Sequence, residues 1–310
     1  MMTKDLDTSQ ADARHLRNVR KWRRNKAILP YLYILPAAFF VSAFLLYPML
    51  STLYLSFTNS DGLRAPEFIG FANYSRLFAD PNFLRPLGNT LIWTVASLVI
   101  PVSLGFIFAF AINALPQAKF FQISIYIPAT ISATATAVLF TFFLDKNGLV
   151  NILLKAIGLD ELATNWLFAI PQNTYSMILA YSWQATGLNM MIFLVGLQGL
   201  PKDPLEAARL DGATGWSLVR YVVLPMMMPY IIIASLLAVV NGFKVFDTIW
   251  VMTQGGPARS SETLAVTMYR EGFILFDLGF AAAVAVIISV VALGFSYFYL
   301  RTVLGRESHI

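Results

Sequence analysis

Two short stretches hold the residues whose types and spacing point to chemistry. The first is Glu206-Ala207-Ala208, followed by Asp211-Gly212, inside the segment Leu200 to Ala213. Asp203 is a good helix N-cap, Pro204 suits the first helical position, and Glu206 sits where a capping box places its carboxylate. Ala207, Ala208, Arg209 and Leu210 favour helix, and Gly212 permits a left-handed stop. The spacing therefore predicts a short, well-capped helix and then a sharp turn. Two readings stand at this point: a tidy connector in which Glu206 is only a cap, or an exposed functional surface. The second stretch is Asn241, Lys244 and Asp247 within an apolar run. A charge at mid-membrane costs about 2.5–3.5 kcal/mol, so it must face protein or a water-filled cavity. Lys244 and Asp247 are three apart, which predicts an ion pair on one helical face. Asn241 can hydrogen-bond a solute; Gln184 and Asn189 can as well, although amides also hold helices together.

Other chemistry is excluded by what is missing. The 310 residues include no cysteine and only two histidines, at opposite ends of the chain. Disulfides, thiolate metal sites and His clusters are thereby ruled out. There is no G-x-x-x-x-G-K-[ST] phosphate loop, no nucleophile elbow and no H-E-x-x-H. The acidic residues are scattered over loops, so paired-carboxylate catalysis has no support.

The elements that position these stretches follow from composition. The chain is 57% hydrophobic and 13% charged, with a mean hydropathy of +0.65. Soluble domains are usually nearer half apolar and a quarter charged, so a bilayer is the solvent this sequence expects. A crossing helix needs about 20 apolar residues. Six stretches qualify, near Ile28–Phe57, Leu87–Leu115, Ile123–Leu144, Tyr175–Leu197, Met226–Met252 and Gly279–Leu300. The fold class is all-α and polytopic. The first stretch is too long for a signal peptide and is expected to be retained. About eight of the 22 Lys and Arg precede Ile28, which reads as a cytoplasmic tail beside a span rather than a nucleic-acid arm. With both termini inside, Lys and Arg favour the inner segments by roughly two to one. No strong internal repeat is visible, which argues against an inverted-repeat secondary transporter. Most of the 25 Phe, 13 Tyr and six Trp are expected at the lipid face or in interfacial belts.

Glu206-Ala207-Ala208, then Gly212, Val222, Leu224 and Pro225, resembles the EAA signature of ABC importer permeases, with Val222 where Ile is usual. Trp183, Gly187, Gly196-Leu197-Gln198 and Pro201 are similar to the approach to that loop in carbohydrate permeases. Phe246-Asp247 and Met252-Thr253-Gln254-Gly255-Gly256-Pro257 resemble the maltose-type first permease of such pairs, and Gly70, Asn73-Tyr74 and Asn89-Thr90-Leu91 fit as well. The resemblance covers roughly Pro30–Leu300.

It implies a type I ABC importer permease fold in the cytoplasmic (inner) membrane of a bacterium or archaeon. Residues 1–27 and 302–310 would be cytoplasmic tails around a transmembrane domain at 28–301, with the 201–225 loop also inside. A solute-binding protein would deliver a carbohydrate or polyol from outside. A second permease subunit, unlike the first, would complete the path, and two ATPase subunits would bind beneath. ATP and Mg would sit on those partners, with no cofactor in this chain. The resemblance also implies that Glu206 and Asp211 contact cationic groups of the ATPase, that Ala207 and Ala208 allow close approach, and that Gly212 permits the turn. Carried over by position, the solute-path residues would be Ala185, Leu188, Asn241, Gly242 and Val245. The alternatives are the same machinery for glycerol phosphate or another small solute, and, from another class, an ion-coupled secondary transporter.

Overall fold

In a bilayer every backbone N–H and C=O must be paired within the protein, which leaves helices as the spanning form for an apolar chain of this kind. The computed structural model describes residues 31–80, 83–116 and 118–307, with side chains to Arg301. The expected basic tail at 1–27 and the last three residues lie outside the described residues. The chain divides into two compact units, 1–54 and 55–310. The first is formed by α1 (Tyr31–Leu55), an apolar helix of membrane-crossing length. It contains one π-helical turn at Ser42–Leu46.

The second unit contains α2 (Ala72–Ala79), α3 (Leu84–Asn113), α4 (Ala118–Thr130), α5 (Ala133–Phe143) and α6 (Leu149–Ala156). It continues with α7 (Gln172–Gln198), α8 (Lys202–Leu210), α9 (Gly215–Met226), α10 (Met228–Phe243) and α11 (Asp247–Thr253). Last come α12 (Leu264–Tyr269), which runs on as a π turn at Arg270–Ile274, and α13 (Leu278–Glu307). The described residues hold no sheet, only an isolated antiparallel bridge between Thr58 and Phe68. Among the described residues, four helices can cross a membrane unbroken, and up to six spans result if each of two bent pairs is one span.

Both bends correct the expected spans and have local causes. The predicted third span is α4 and α5, meeting at 95°. Pro128 removes a backbone donor near the end of α4, and Ser132 then starts a new helix, its hydroxyl accepting from Ala135 N at 3.2 Å. The carbonyl exposed at the break is not abandoned: the Gln184 amide on α7 donates to Ile131 O. The predicted fifth span, Met226–Met252, is likewise not one helix. α9 and α10 meet at 72°, and α10 ends at Phe243 before α11 starts again at Asp247.

The bundle centres on α3 packed along α7, with α10 against α3 and α4 against α7. Small residues set these approaches, as expected where lipid supplies no hydrophobic drive between helices. A Cβ on Gly187 would lie 2.6 Å from Ile125 O of α4, and one on Gly242 would lie 2.6 Å from Thr94 Cα of α3. Three apolar clusters fill the remaining space. One joins Trp93, Met177 and Ile249, one Ile112, Phe193 and Met227, and one Leu77, Leu264 and Phe280.

Gly187→Val is expected to destabilise the subunit by about 1–3 kcal/mol, because the opposing atoms are backbone and have nowhere to move. Gly88→Ala, which meets open space, should stay within about 0.5 kcal/mol of wild type. Thermal unfolding of the detergent-purified chain, followed by size-exclusion recovery, checks the pair.

Candidate functional site

The helix predicted around Glu206 exists, but its start differs from the expectation. α8 begins at Lys202 with Pro201 at the cap position, and no side chain caps it. Asp203 is therefore inside the first turn, where it meets only the helix dipole, and Glu206 lies too far along to close a capping box. Pro201 explains the shift: its extended backbone (φ −61°, ψ 139°) already turns the chain into the helix. Glu206 is exposed and makes no side-chain hydrogen bond or ion pair within the described residues. Glu206 therefore does not act as a cap of α8.

The far end of α8 is built as the sequence anticipates. Ala213 N donates to Ala208 O at 2.9 Å and Gly212 N to Arg209 O at 3.1 Å, the paired bonds of a Schellman stop. Gly212 has φ +89°, with open space where a Cβ would go, so its constraint is conformational rather than steric. Thr214 and Ser217 then cap α9 reciprocally. Leu205 packs against the apolar cluster containing Leu197, Val223 and Met227. Ala207, Asp211 and Leu210 face outward, Leu210 at 89% exposure, while Ala208 is half-buried; Trp216 and Tyr221 are exposed nearby. The result is a stiff helix presenting two carboxylates beside apolar groups that nothing among the described residues covers.

The five solute-path positions divide into two groups. Leu188 and Asn241 are exposed and Ala185 is half-buried. Gly242 and Val245 are buried, Gly242 against Thr94 and Val245 in the cluster with Trp93 and Ile249. Inside this chain, Gly242 and Val245 are packing residues. Asn189 is also committed, donating to Ala185 O at 2.9 Å. Lys244 and Asp247 form no ion pair, correcting the expectation of a shared helical face. Lys244 ends α10 with φ −98°, ψ 5°, Phe246 breaks the chain direction, and Asp247 opens α11.

A fully buried, multiply bonded carboxylate lies elsewhere, in the loop between α11 and α12. Glu262 has 0% exposure. Arg259 reaches it with Nε at 2.6 Å from Oε2 and Nη2 at 2.8 Å from Oε1, and Thr267 Oγ1 donates to Oε1 at 2.8 Å. Arg270 Nε stands 3.7 Å from Oε2, while its Nη2 donates to Gln254 O at 2.7 Å. Bonding to Glu262 pushes the Arg259 pKa up. Neighbouring Glu271 is pushed up by burial, with Arg259 and Arg76 opposing. Two spans hold the loop from below. Asn89 Nδ2 on α3 donates to Ser260 O (2.8 Å) and Glu262 O (2.9 Å), and Asn173 Nδ2 on α7 donates to Gly256 O (3.0 Å) and Ser260 Oγ (2.9 Å). Asn89 and the Gly255-Gly256-Pro257 turn are legible in the sequence; the role of Glu262 is not, since its partnerships arise only once distant helices meet.

A bundle of apolar spans, two of them bent, with a rigid carboxylate-bearing helix between spans, defines a multi-pass membrane transport subunit. Residues 102–308 match the family described as binding-protein-dependent transport system inner membrane component, and the chain belongs to that family. It is 33% identical over 275 residues to a probable ABC transporter permease protein of Pyrococcus horikoshii, covering 87% of this chain and 94% of the relative. It is 32% identical over 276 residues to the lactose transport system permease protein of Rhizobium radiobacter, covering 87% and 92%. A chain in the crystal structure of a bacterial alginate ABC transporter, in complex with an alginate pentasaccharide-bound periplasmic protein, superposes with a TM-score of 0.80. That chain is 25% identical, with 90% of this chain and 96% of the other covered. The protein is thus an inner-membrane permease subunit of an ABC importer, with the type I fold. ATP hydrolysis belongs to separate subunits, and the ion-coupled alternative has no support.

Removing the buried carboxylate strands two guanidinium groups. Glu262→Ala is expected to cost about 1–3 kcal/mol, less than breaking a fully buried pair, because the arginines left behind are partly exposed to water. Glu262→Gln keeps the shape and part of the hydrogen bonding and should cost less. Denaturation midpoints of the two variants, compared with Arg259→Ala in a double-mutant cycle, test the assignment: additive effects would refute the coupling.

Proposed function

We propose that this chain is the first of two unlike permease subunits in an importer of a carbohydrate or related polyol, and that an ATPase subunit docks on α8. The observation that carries this reading is the state of Glu206 and Asp211. Both are exposed and, among the described residues, unpartnered, on a helix that is closed by a Schellman stop and seated by Leu205. Carboxylates held so rigidly, beside Ala207 and Ala208, suit cationic groups in a cleft on another protein. ATP and Mg are assigned to the ATPase partners and none to this chain. A solute-binding protein is assigned to the opposite side of the membrane, as the alginate relative has its periplasmic protein. The sugar reading rests on the lactose and alginate relatives. Leu188, Asn241 and Ala185 are the path residues retained.

Both termini and α8 are placed in the cytoplasm, because Lys and Arg concentrate on that side. The absence of native cysteine makes the orientation directly readable. A cysteine replacing Leu63, which is exposed, should react with an impermeant maleimide on intact cells. One replacing Leu210 should react only after permeabilisation. The reverse pattern would overturn the orientation.

Docking on α8 predicts separable effects. Glu206→Gln should leave the helix folded, since the carboxylate caps nothing, yet reduce co-purifying ATPase and sugar uptake. Gly212→Val should cost roughly 1–2 kcal/mol at this positive φ and lose coupling, whereas Gly212→Asn, tolerated in that region, should retain most of it. Uptake and ATP hydrolysis in the reconstituted complex decide the matter. Full transport with stoichiometric ATPase in both Glu206→Gln and Gly212→Val would remove α8 from the coupling path.

A further inference from the structure

The segment between α5 and α7 is a folded unit with an unusual surface. It runs over residues 144–171 and contains α6 and a single 3-10 turn at Asp160–Leu162. Asn151, buried on the inner side of α6, holds it together. Its amide donates to Asp145 O, Lys146 O and Thr164 O at 3.3, 3.0 and 2.8 Å, and its carbonyl accepts from Thr164 N (3.3 Å) and Trp166 Nε1 (2.8 Å). The opposite side of α6 is apolar and open. Leu149, Ile152, Leu153 and Ile157 share one arc at helical spacing, and Ile152 and Ile157 are 57% and 69% exposed. Lys155 is the single charged residue of α6 and flanks that arc. The polar side forms a cleft lined by Lys146, Asn147, Lys155, Asp160 and Asn165.

Position decides what meets the arc. The segment begins one residue after α5 and ends one before α7, so its ends are tied to the mouths of two spans. α7 has 27 residues, about 40 Å of helix, which puts α6 at the far boundary of the membrane from α8. The apolar surface also continues into the spans: Phe168 and Ile170 are exposed leading into α7, as is Phe142 leading out of α5. A helix of this kind, with a flanking lysine to extend toward headgroups, lies in the interface plane.

We propose that residues 144–171 form an interfacial anchor, with Leu149, Ile152, Leu153 and Ile157 seated among the headgroups and upper acyl chains of the leaflet opposite α8. The occupant is lipid, and the surface is continuous with the lipid-facing surface of the spans. The Asn151 network makes the anchor stiff, so the depth of α6 sets the depth of the α5 and α7 ends, and with them the 95° break that Gln184 bridges.

The test uses the full chain in its assembled complex, reconstituted in phosphatidylethanolamine–phosphatidylglycerol vesicles. Ile152→Cys and Asn165→Cys each carry a bimane fluorophore. Spin-labelled lipid with a shallow doxyl group should quench the Ile152 probe about threefold more than the Asn165 probe, and iodide should do the opposite, as interfacial burial requires. Iodide quenching of both probes alike would place the arc in water. Protection of the Ile152 probe from both quenchers would mean that protein covers it, the second permease or the binding protein. Either result overturns the anchor. Neither bears on α8 and its ATPase, which the Glu206 and Gly212 variants test separately.

Discussion

A carboxylate with no exposed surface must be matched by donors or it will not stay charged. Glu262 meets that demand with Arg259, Arg270 and Thr267, and in doing so fixes the path of the chain from Gln254 to Thr267. That segment includes left-handed residues at Gln254, Ala258 and Arg259, a backbone that is tolerated only where surrounding bonds over-determine it. Asn89 and Asn173 then grip the ordered loop by its carbonyls. The ends of α3 and α7 are thereby set, and with them the long contact on which α4 and α10 pack.

Breaks in helices are costly inside a membrane, because each frees backbone groups that water cannot satisfy. This chain breaks two spans and satisfies the consequences locally. Ser132 caps the restart of the third span and Gln184 takes the free carbonyl of Ile131. At the other bend, Met227 N still reaches Val223 O at 2.9 Å, so the turn between α9 and α10 keeps a helical bond through the change of direction. The first bend is tied to Gln184 on α7, and the second lies within the cluster seating α8.

Much of this was legible from residue order, and the gaps have physical causes. Hydropathy located the four unbroken spans to within a few residues, because the bilayer selects on length and apolarity alone, and it misplaced the fifth, whose bent pair runs from Gly215 to Phe243. It could not see the bends: a 22-residue apolar window reads the same whether or not Ser132 restarts the helix. Periodicity placed Lys244 and Asp247 on one face by running through the break at Lys244–Phe246, where the period no longer applies. Gly212 was recognised correctly since a left-handed stop is local. Asp203 has a side chain that suits a cap, whereas Pro201 already fixes the backbone there. Glu262 was invisible: its loop is held by Asn89, 173 positions away, and no local pattern reports that.

The seating of α8 has a mechanical reading. The helix rests on the bundle through Leu205, and the cluster receiving that side chain contains Val223, in the last turns of α9, and Met227, at the junction where α9 gives way to α10. α8 thus meets the membrane domain beside the 72° corner. If α8 carries the ATPase as proposed, a short stroke at Glu206 or Leu210 would be delivered to that corner, with the long α3–α7 pair as the frame against which it turns.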